Sequence, residues 1–208
     1  MSDSSSTSQR HRLTEILARQ PIVRAYELRQ QGIDPPTISR AAAAGELVRI
    51  SRGLYQRSDS DIDTHHALAE AAKIVPRGVV AMVSALAYHG LTDQMPRKIW
   101  MAVSVKDWSP SAPSYPPIRI VEFRDRYMQQ GIEHHTISGI SVPIYSIPKT
   151  LADVFRNRKL VDRSVAVEAL RATLDQRKAT PASIADAAIA GDAWNIMRPY
   201  LEALTSNG

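Results

Sequence analysis

An α+β chain in two parts is what this sequence of 208 residues predicts, on three observations. Residues 24–57 read as two short helices closed by Gly32 and Gly45, followed by a tight hairpin at Ser51-Arg52-Gly53. Residues 79–145 hold runs of β-branched and aromatic residues separated by turn residues, which suits strands. From Pro148 onward the apolar residues recur at helical spacing. The expected division is a disordered serine-rich tail at 1–9, a first domain at 10–58 and an α+β domain at 59–208 with a helical C-terminal half.

The first domain opens on Leu13, Ile16 and Leu17, spaced i, i+3, i+4, in a helix predicted to end near Gln20-Pro21. Ala25 and Leu28 give the next helix its inner side. Asp34-Pro35 starts a third, because a carboxylate at the N-cap and a proline at the first helical position suit the unpaired amides there. Gly45 ends it, where a left-handed residue is cheap. Glu46 to Ile50 and Leu54 to Gln56 then form the hairpin. Helix, turn, helix and hairpin is the order of a winged helix-turn-helix, which sets one helix in the DNA major groove and a basic loop beside it.

The third helix divides into faces. With Ile38 inward, a rotation of roughly 100° per residue places Ala41 and Ala42 beside it. Arg40 then lies outward between Pro36 and Ala43, with Thr37 and Ser39 at the margins. A face of small and hydroxyl residues around one arginine fits a groove about 12 Å wide. Arg49 and Arg52 sit in the hairpin and at its tip. The plain alternative is a solvated alanine-rich helix with ordinary surface arginines.

Charge distribution favours the first reading. The chain carries +5 overall, and residues 1–58 hold nine arginines, no lysine and five acids, so most of the excess lies there. Phosphate attraction requires that placement. There is no cysteine, which excludes disulfides, thiolate metal sites and a cysteine nucleophile. Met1 to Gln9 is polar and unlike a secretory signal, and the longest apolar stretch, Val79 to Tyr88, is about half a bilayer span. A soluble, cytoplasmic protein is expected.

The polar, acidic break from Arg57 to Thr64 marks the expected boundary, with Asp63 or Thr64 capping a helix over His65 to Ile74. Val79 to Met82 is expected as a buried strand, and Ser84 as the start of a helix ended by Gly90. Strands are expected at Lys98 to Val105, Ile118 to Phe123, Ile132 to Ile137 and Ile140 to Tyr145, the last two joined by the turn Ser138-Gly139. Trp108 to Pro117 reads as an exposed loop. After Pro148, Leu151, Val154 and Phe155 share one helix face, while Lys149, Asp153 and Arg156 line the other. Helices at Asp162 to Asp175, after Thr180-Pro181 and after a cap at Asp192 complete the chain.

Chemistry is hard to find. His65-His66 and His134-His135 are adjacent pairs, whose side chains diverge on helix or strand, so neither pair chelates alone. His89, near the end of its helix, reads as a packed residue or a partner for a C-terminal carbonyl. Asp153 with Lys149 lacks the second acid and the Glu-x-Lys strand of a restriction-type nuclease. No phosphate loop or nucleophile elbow is present. Neither catalysis nor a metal or cofactor is expected. Lys149, Arg156, Arg158, Lys159 and Arg163 form the densest basic run outside the first domain, read either as a solvated helix face or as a contact surface for an acidic partner or RNA.

The run GIDPPTISRAAAAGELVRISRGLY resembles the N-terminal winged helix of AbiEi-type antitoxins. VVAMVSALAYHGLTDQMPRKIWMAV and IPKTLADVFRNRKLVDRSVAVEALRATL resemble their second domain. The resemblance implies the antitoxin of a type IV toxin–antitoxin pair, encoded with an AbiEii-like nucleotidyltransferase toxin. It implies autorepression through inverted promoter repeats, with Thr37, Ser39, Arg40, Arg49, Ser51 and Arg52 on double-stranded DNA. It makes Lys149, Arg156, Arg158 and Lys159 candidates for the antitoxic surface. A winged-helix regulator with a ligand-sensing or dimerising second domain is the other reading, and a DNA-targeted nuclease a third.

Overall fold

A computed structural model describes residues 3–59, 65–106 and 116–206, with no side-chain detail for 3–7 and Ser51. The first unit comprises α1 (Asp3–Arg19), β1 (Ile22–Arg24), α2 (Ala25–Gln30), α3 (Pro35–Ala43), β2 (Leu47–Ser51) and β3 (Leu54–Arg57). The fold class is the α+β one expected, and this unit has the element order of a winged helix. Two features depart from the sequence reading. Residues 3–9, expected as a disordered tail, continue α1. Ile22–Arg24, where the sequence reading assigns no element, is a strand that pairs with β3 and completes an antiparallel sheet ordered β1-β3-β2. Three residues are too few to show a period of two, so only the partner strand reveals it.

Pairing in this small sheet sorts its side chains. Val23 lies opposite Tyr55, and Leu47 opposite Arg57, so Val23, Tyr55 and Leu47 share one face. That face packs with Leu13, Leu17, Leu28, Ile33, Ile38 and Ala41 in the core of the unit. The opposite face carries Ile22 and Leu54, both fully buried, but not against the first unit's helices. They join Leu68, Ala69, Val80, Val142 and Ile144 of the second unit. The wing is thus clamped between two cores.

The second unit begins with α4 (His66–Ile74), β4 (Val79–Val80), α5 (Met82–Tyr88), β5 (Ile99–Ser104) and β6 (Ile118–Phe123). It continues with α6 (Asp125–Met128), β7 (Ile132–Ile137), β8 (Ile140–Tyr145) and α7 (Ile147–Arg156). It closes with α8 (Arg163–Asp175), α9 (Pro181–Ala190) and α10 (Trp194–Thr205). Its mixed sheet is ordered β6-β5-β4-β8-β7. Along β5, Trp100 and Ala102 enter the core with α5 and α7–α10, while Met101 and Val103 enter the core with α4. The sheet is therefore buried on both faces.

Most boundaries match the reading, and each miss has an identifiable cause. The strand expected over Val79 to Met82 is only Val79–Val80, because Met82 adopts φ 54° and starts α5. Asp192, expected to cap the last helix, has φ 54° and accepts from Arg126 Nη2 at 2.7 Å and from the Tyr127 hydroxyl; Ala193 takes the N-cap position. Asp162 and Thr180 do cap their helices. Asp63, Thr64 and residues 108–115 of the expected loop lie outside the described residues.

Two junctions tie the units together. Lys73 Nζ contacts both Glu27 carboxylate oxygens at 2.8 and 3.0 Å, and Arg24 Nε donates to the Lys73 carbonyl. The tip of the β7–β8 hairpin meets the end of α1: a Cβ on Gly139, at φ 71°, would sit 2.9 Å from the Arg19 carbonyl oxygen. Only glycine fits both the turn and that approach.

Candidate nucleic-acid interface

The helix expected in the groove is built as its sequence demands. Asp34 accepts from the Thr37 amide at 2.9 Å, and Pro35 occupies the first turn. The Thr37 hydrogen bonds, aided by Arg40, hold the Asp34 carboxyl below its ordinary range. The helix ends as Glu46 N donates to Ala41 O at 3.0 Å, and Gly45 at φ 75° sends the chain into β2. β2 and β3 pair down to Ser51 opposite Leu54, leaving Arg52-Gly53 as the turn. The turn is fastened from behind, since the Ala25 amide donates to Gly53 O at 2.8 Å.

Of the six residues expected on DNA, Ser39, Arg40, Arg49 and Arg52 are exposed. Arg40 is folded along its own helix, with Nε on Pro36 O at 3.3 Å and Nη2 on Thr37 Oγ1 at 3.2 Å. The Ser51 backbone ends β2, and its side chain is outside what is described.

Thr37 corrects the sequence reading. It is buried, and its hydroxyl donates to Gln9 Oε1 at 3.1 Å, the same oxygen that accepts from the Asp34 amide. Gln9 therefore shields the start of α3. The rotation argument set Thr37 at the margin, but nothing in the serine-rich tail signalled that α1 extends back to cover it.

Part of the arginine excess is engaged within the chain. Arg10 pairs with Glu46, Arg57 with Asp59 at 2.5 Å, and Arg24 bonds Lys73 O. Arg40, Arg49 and Arg52 are exposed, as are Arg12, Arg19 and Arg29 on the helices of the same unit.

The second group of candidates divides sharply. Lys149 and Asp153 are buried, and Arg156 nearly so; they do not line a surface. Lys149 Nζ lies 2.7 Å and Arg156 Nη2 3.0 Å from Asp153 Oδ1. Lys149 sits over the Tyr145 ring and Arg156 over the Tyr127 ring, at 4.9 and 3.9 Å. The physical reason is that α7 runs through the middle of the unit, with the sheet on one side and α8–α10 on the other. Its polar stripe is an internal ion network rather than a face toward water. Arg158 and Lys159, past the end of α7, remain exposed.

The histidines do come together, though not by their sequence pairing. His65, His89 and His135 surround Tyr88, with ring centroids 4.9, 5.3 and 5.0 Å from it. Among the described residues no group of three or more His, Asp or Glu side chains is placed to hold a metal ion. His89 Nε2 donates to Tyr145 O at 2.8 Å. Burial lowers the His89 pKa, against that bond and the Glu133 charge. The unfolded chain therefore takes up this proton near pH 6.5 while the folded one resists it. Stability should fall as pH drops below about 6.5. Thermal melts of His89→Gln between pH 7.5 and 5 should show a flatter dependence than the parent; parallel curves would deny His89 this part.

No helix among the described residues is long and apolar enough to cross a membrane. No curated protein matches the chain. Residues 11–58 match the family model described as transcriptional regulator, AbiEi antitoxin. The matched stretch runs from α1 to the end of the wing, and it is the family that the run from Gly32 to Tyr55 resembles.

Proposed function

We propose, from a regulator-type winged helix at residues 11–58, that this chain is an autorepressing antitoxin of a type IV toxin–antitoxin pair. Its first unit binds inverted repeats in its own promoter, with Ser39 and Arg40 in the groove and Arg49, Ser51 and Arg52 of the wing along the backbone. Its second unit counteracts an AbiEii-like nucleotidyltransferase toxin, with Arg158 and Lys159 as the remaining surface candidates of that region. Such a pair serves phage resistance in the cytoplasm, and the antitoxin works without catalysis or a cofactor. The observation carrying the DNA half is the exposure of Arg40, Arg49 and Arg52 on one helix and the hairpin that follows it.

Electrostatic and base contacts predict different signatures. Arg52→Ala should weaken binding alike on all sequences and reduce the slope of log K against log salt by about 0.9. Arg40→Ala should cost roughly 1–3 kcal/mol on the cognate repeat and little on random duplex, if it reads a base. Gel-shift titrations at several salt concentrations measure both. Parent-like operator affinity in both variants would remove the helix-and-wing assignment.

A second reading, a regulator whose second unit senses a ligand, draws on one feature. A crevice of about 400 Å³ lies between the units, lined by Arg24, Tyr26, Glu27, Lys73, Ser141 and Pro143. Co-expression with the product of the adjacent gene separates the two. Relief of growth arrest by the full chain favours the antitoxin, and none favours the sensor.

A further inference from the structure

A cleft of about 410 Å³ opens on the side of the second unit formed by β5, β6 and the turn between α7 and α8. Met95, Arg97, Lys98, Trp100, Arg119 and Leu160 line it. Three separate stretches thus converge: the end of the SALAYHGLTDQMP run, the start of β6, and the residues that follow PKTLADVFRNR. Arg97, Lys98 and Arg119 are exposed, and no ion pair engages them among the described residues. Arg158 and Lys159, both exposed, directly precede Leu160 in the chain. The acid lining the cleft, Asp162, is committed to capping α8 through the Ser164 amide and hydroxyl, both at 2.9 Å. The cleft therefore presents a surplus of positive charge.

Its apolar parts decide what kind of anion fits. Met95 is 86% and Leu160 37% exposed, two aliphatic side chains at the edge of a basic cleft. Single-stranded nucleic acid is held by bases stacking on open aromatic faces. The aromatic ring here, Trp100, is 7% exposed and has the Arg119 guanidinium 3.9 Å over it, so that platform is taken. Flexible methionine next to leucine instead suits a protein side chain that needs a yielding apolar seat. Charge around such a seat selects the approaching partner.

We propose that this cleft docks a protein segment rich in Asp and Glu that inserts an aliphatic side chain between Met95 and Leu160. This deepens the antitoxin reading and rests on it only for the partner's identity. The second-unit contact is then made by Met95, Arg97, Lys98, Arg119 and Leu160, and not by the buried Lys149.

The test uses the full chain and fluorescence anisotropy with three labelled probes. These are a dodecapeptide of Asp and Glu with two central leucines, the same peptide with serines for leucines, and an oligouridylate of matched charge. The leucine peptide should bind best, about tenfold tighter than the serine peptide. The Arg97→Glu/Lys98→Glu variant should weaken it tenfold or more, and Met95→Ser should bring it to the level of the serine peptide. Equal binding of the two peptides, no peptide binding, or tighter oligouridylate binding lost in the same variants would each overturn the proposal. Operator affinity, carried by the other unit, should be unchanged and reports that the variants are folded. Leucine-selective binding by a chain that fails to relieve toxin arrest would keep the docking surface and remove the antitoxin reading alone.

Discussion

Asp153→Ala is expected to cost about 3–5 kcal/mol of folding stability, because it strands two cations inside the second unit. Lys149 is 2% exposed and Asp153 fully buried, so neither charge is relaxed by water. Burial pushes the Asp153 carboxyl up, against the pull of Lys149 and Arg156, and pushes the Lys149 ammonium down, against Asp153 but with the like charge of Arg156 adding to the shift. Removing the carboxylate takes away the shared acceptor of both cations. Urea melts of Asp153→Ala and of the pair Lys149→Met/Asp153→Leu measure the effect. The double variant should regain much of the loss, since well-packed apolar groups can replace a buried pair at little cost. A single variant within about 1 kcal/mol of the parent would mean that the network is hydrated and the triad a surface feature after all.

Leu54→Ala should remove about 2–5 kcal/mol by opening a cavity where the wing meets the second unit. Leu54 is fully buried in the cluster with Ala69, Val80 and Ile144. Operator affinity should fall with it, although Leu54 is buried and touches no DNA, because the wing's outer position is set by that contact. Arg52→Ala, by contrast, should lower affinity at unchanged melting temperature. The same geometry predicts that a fragment of residues 10–58 folds weakly, since Ile22 and Leu54 would face water and the Glu27–Lys73 pair would be lost. Circular dichroism melts of the variant and of the fragment measure this. A fragment as stable as the whole chain, with Leu54→Ala harmless, would show the two units to be independent.

Local chemistry made much of this fold readable. Asp34-Pro35 announced α3, Gly45 its end, Arg52-Gly53 the wing tip and Ser138-Gly139 the second hairpin, because each needs a particular backbone conformation or an N-cap acceptor. The strands at 118–123, 132–137 and 140–145 were found to the residue, since buried strands must carry β-branched and apolar runs. What failed had its cause at a distance. β1 is too short to signal itself, Gln9 covers Thr37 from the far end of another helix, and Tyr127 and Arg126 draw Asp192 away from its cap.

The candidate sites divide in the same way. By itself the sequence determined a basic module with a winged-helix element order, the bounds of α3 and the exposure of Arg40 and Arg52, because helix period and turn chemistry are local and fix which way a side chain leaves the backbone. Tertiary structure alone decided that Lys149, Asp153 and Arg156 are an interior network, and that Arg97, Lys98, Arg119 and Leu160 share one cleft. An amphipathic pattern reports that a helix has two kinds of face. Whether the polar face meets water or closes on its own counter-charges depends on what packs there, and those layers come from parts of the chain far apart in sequence.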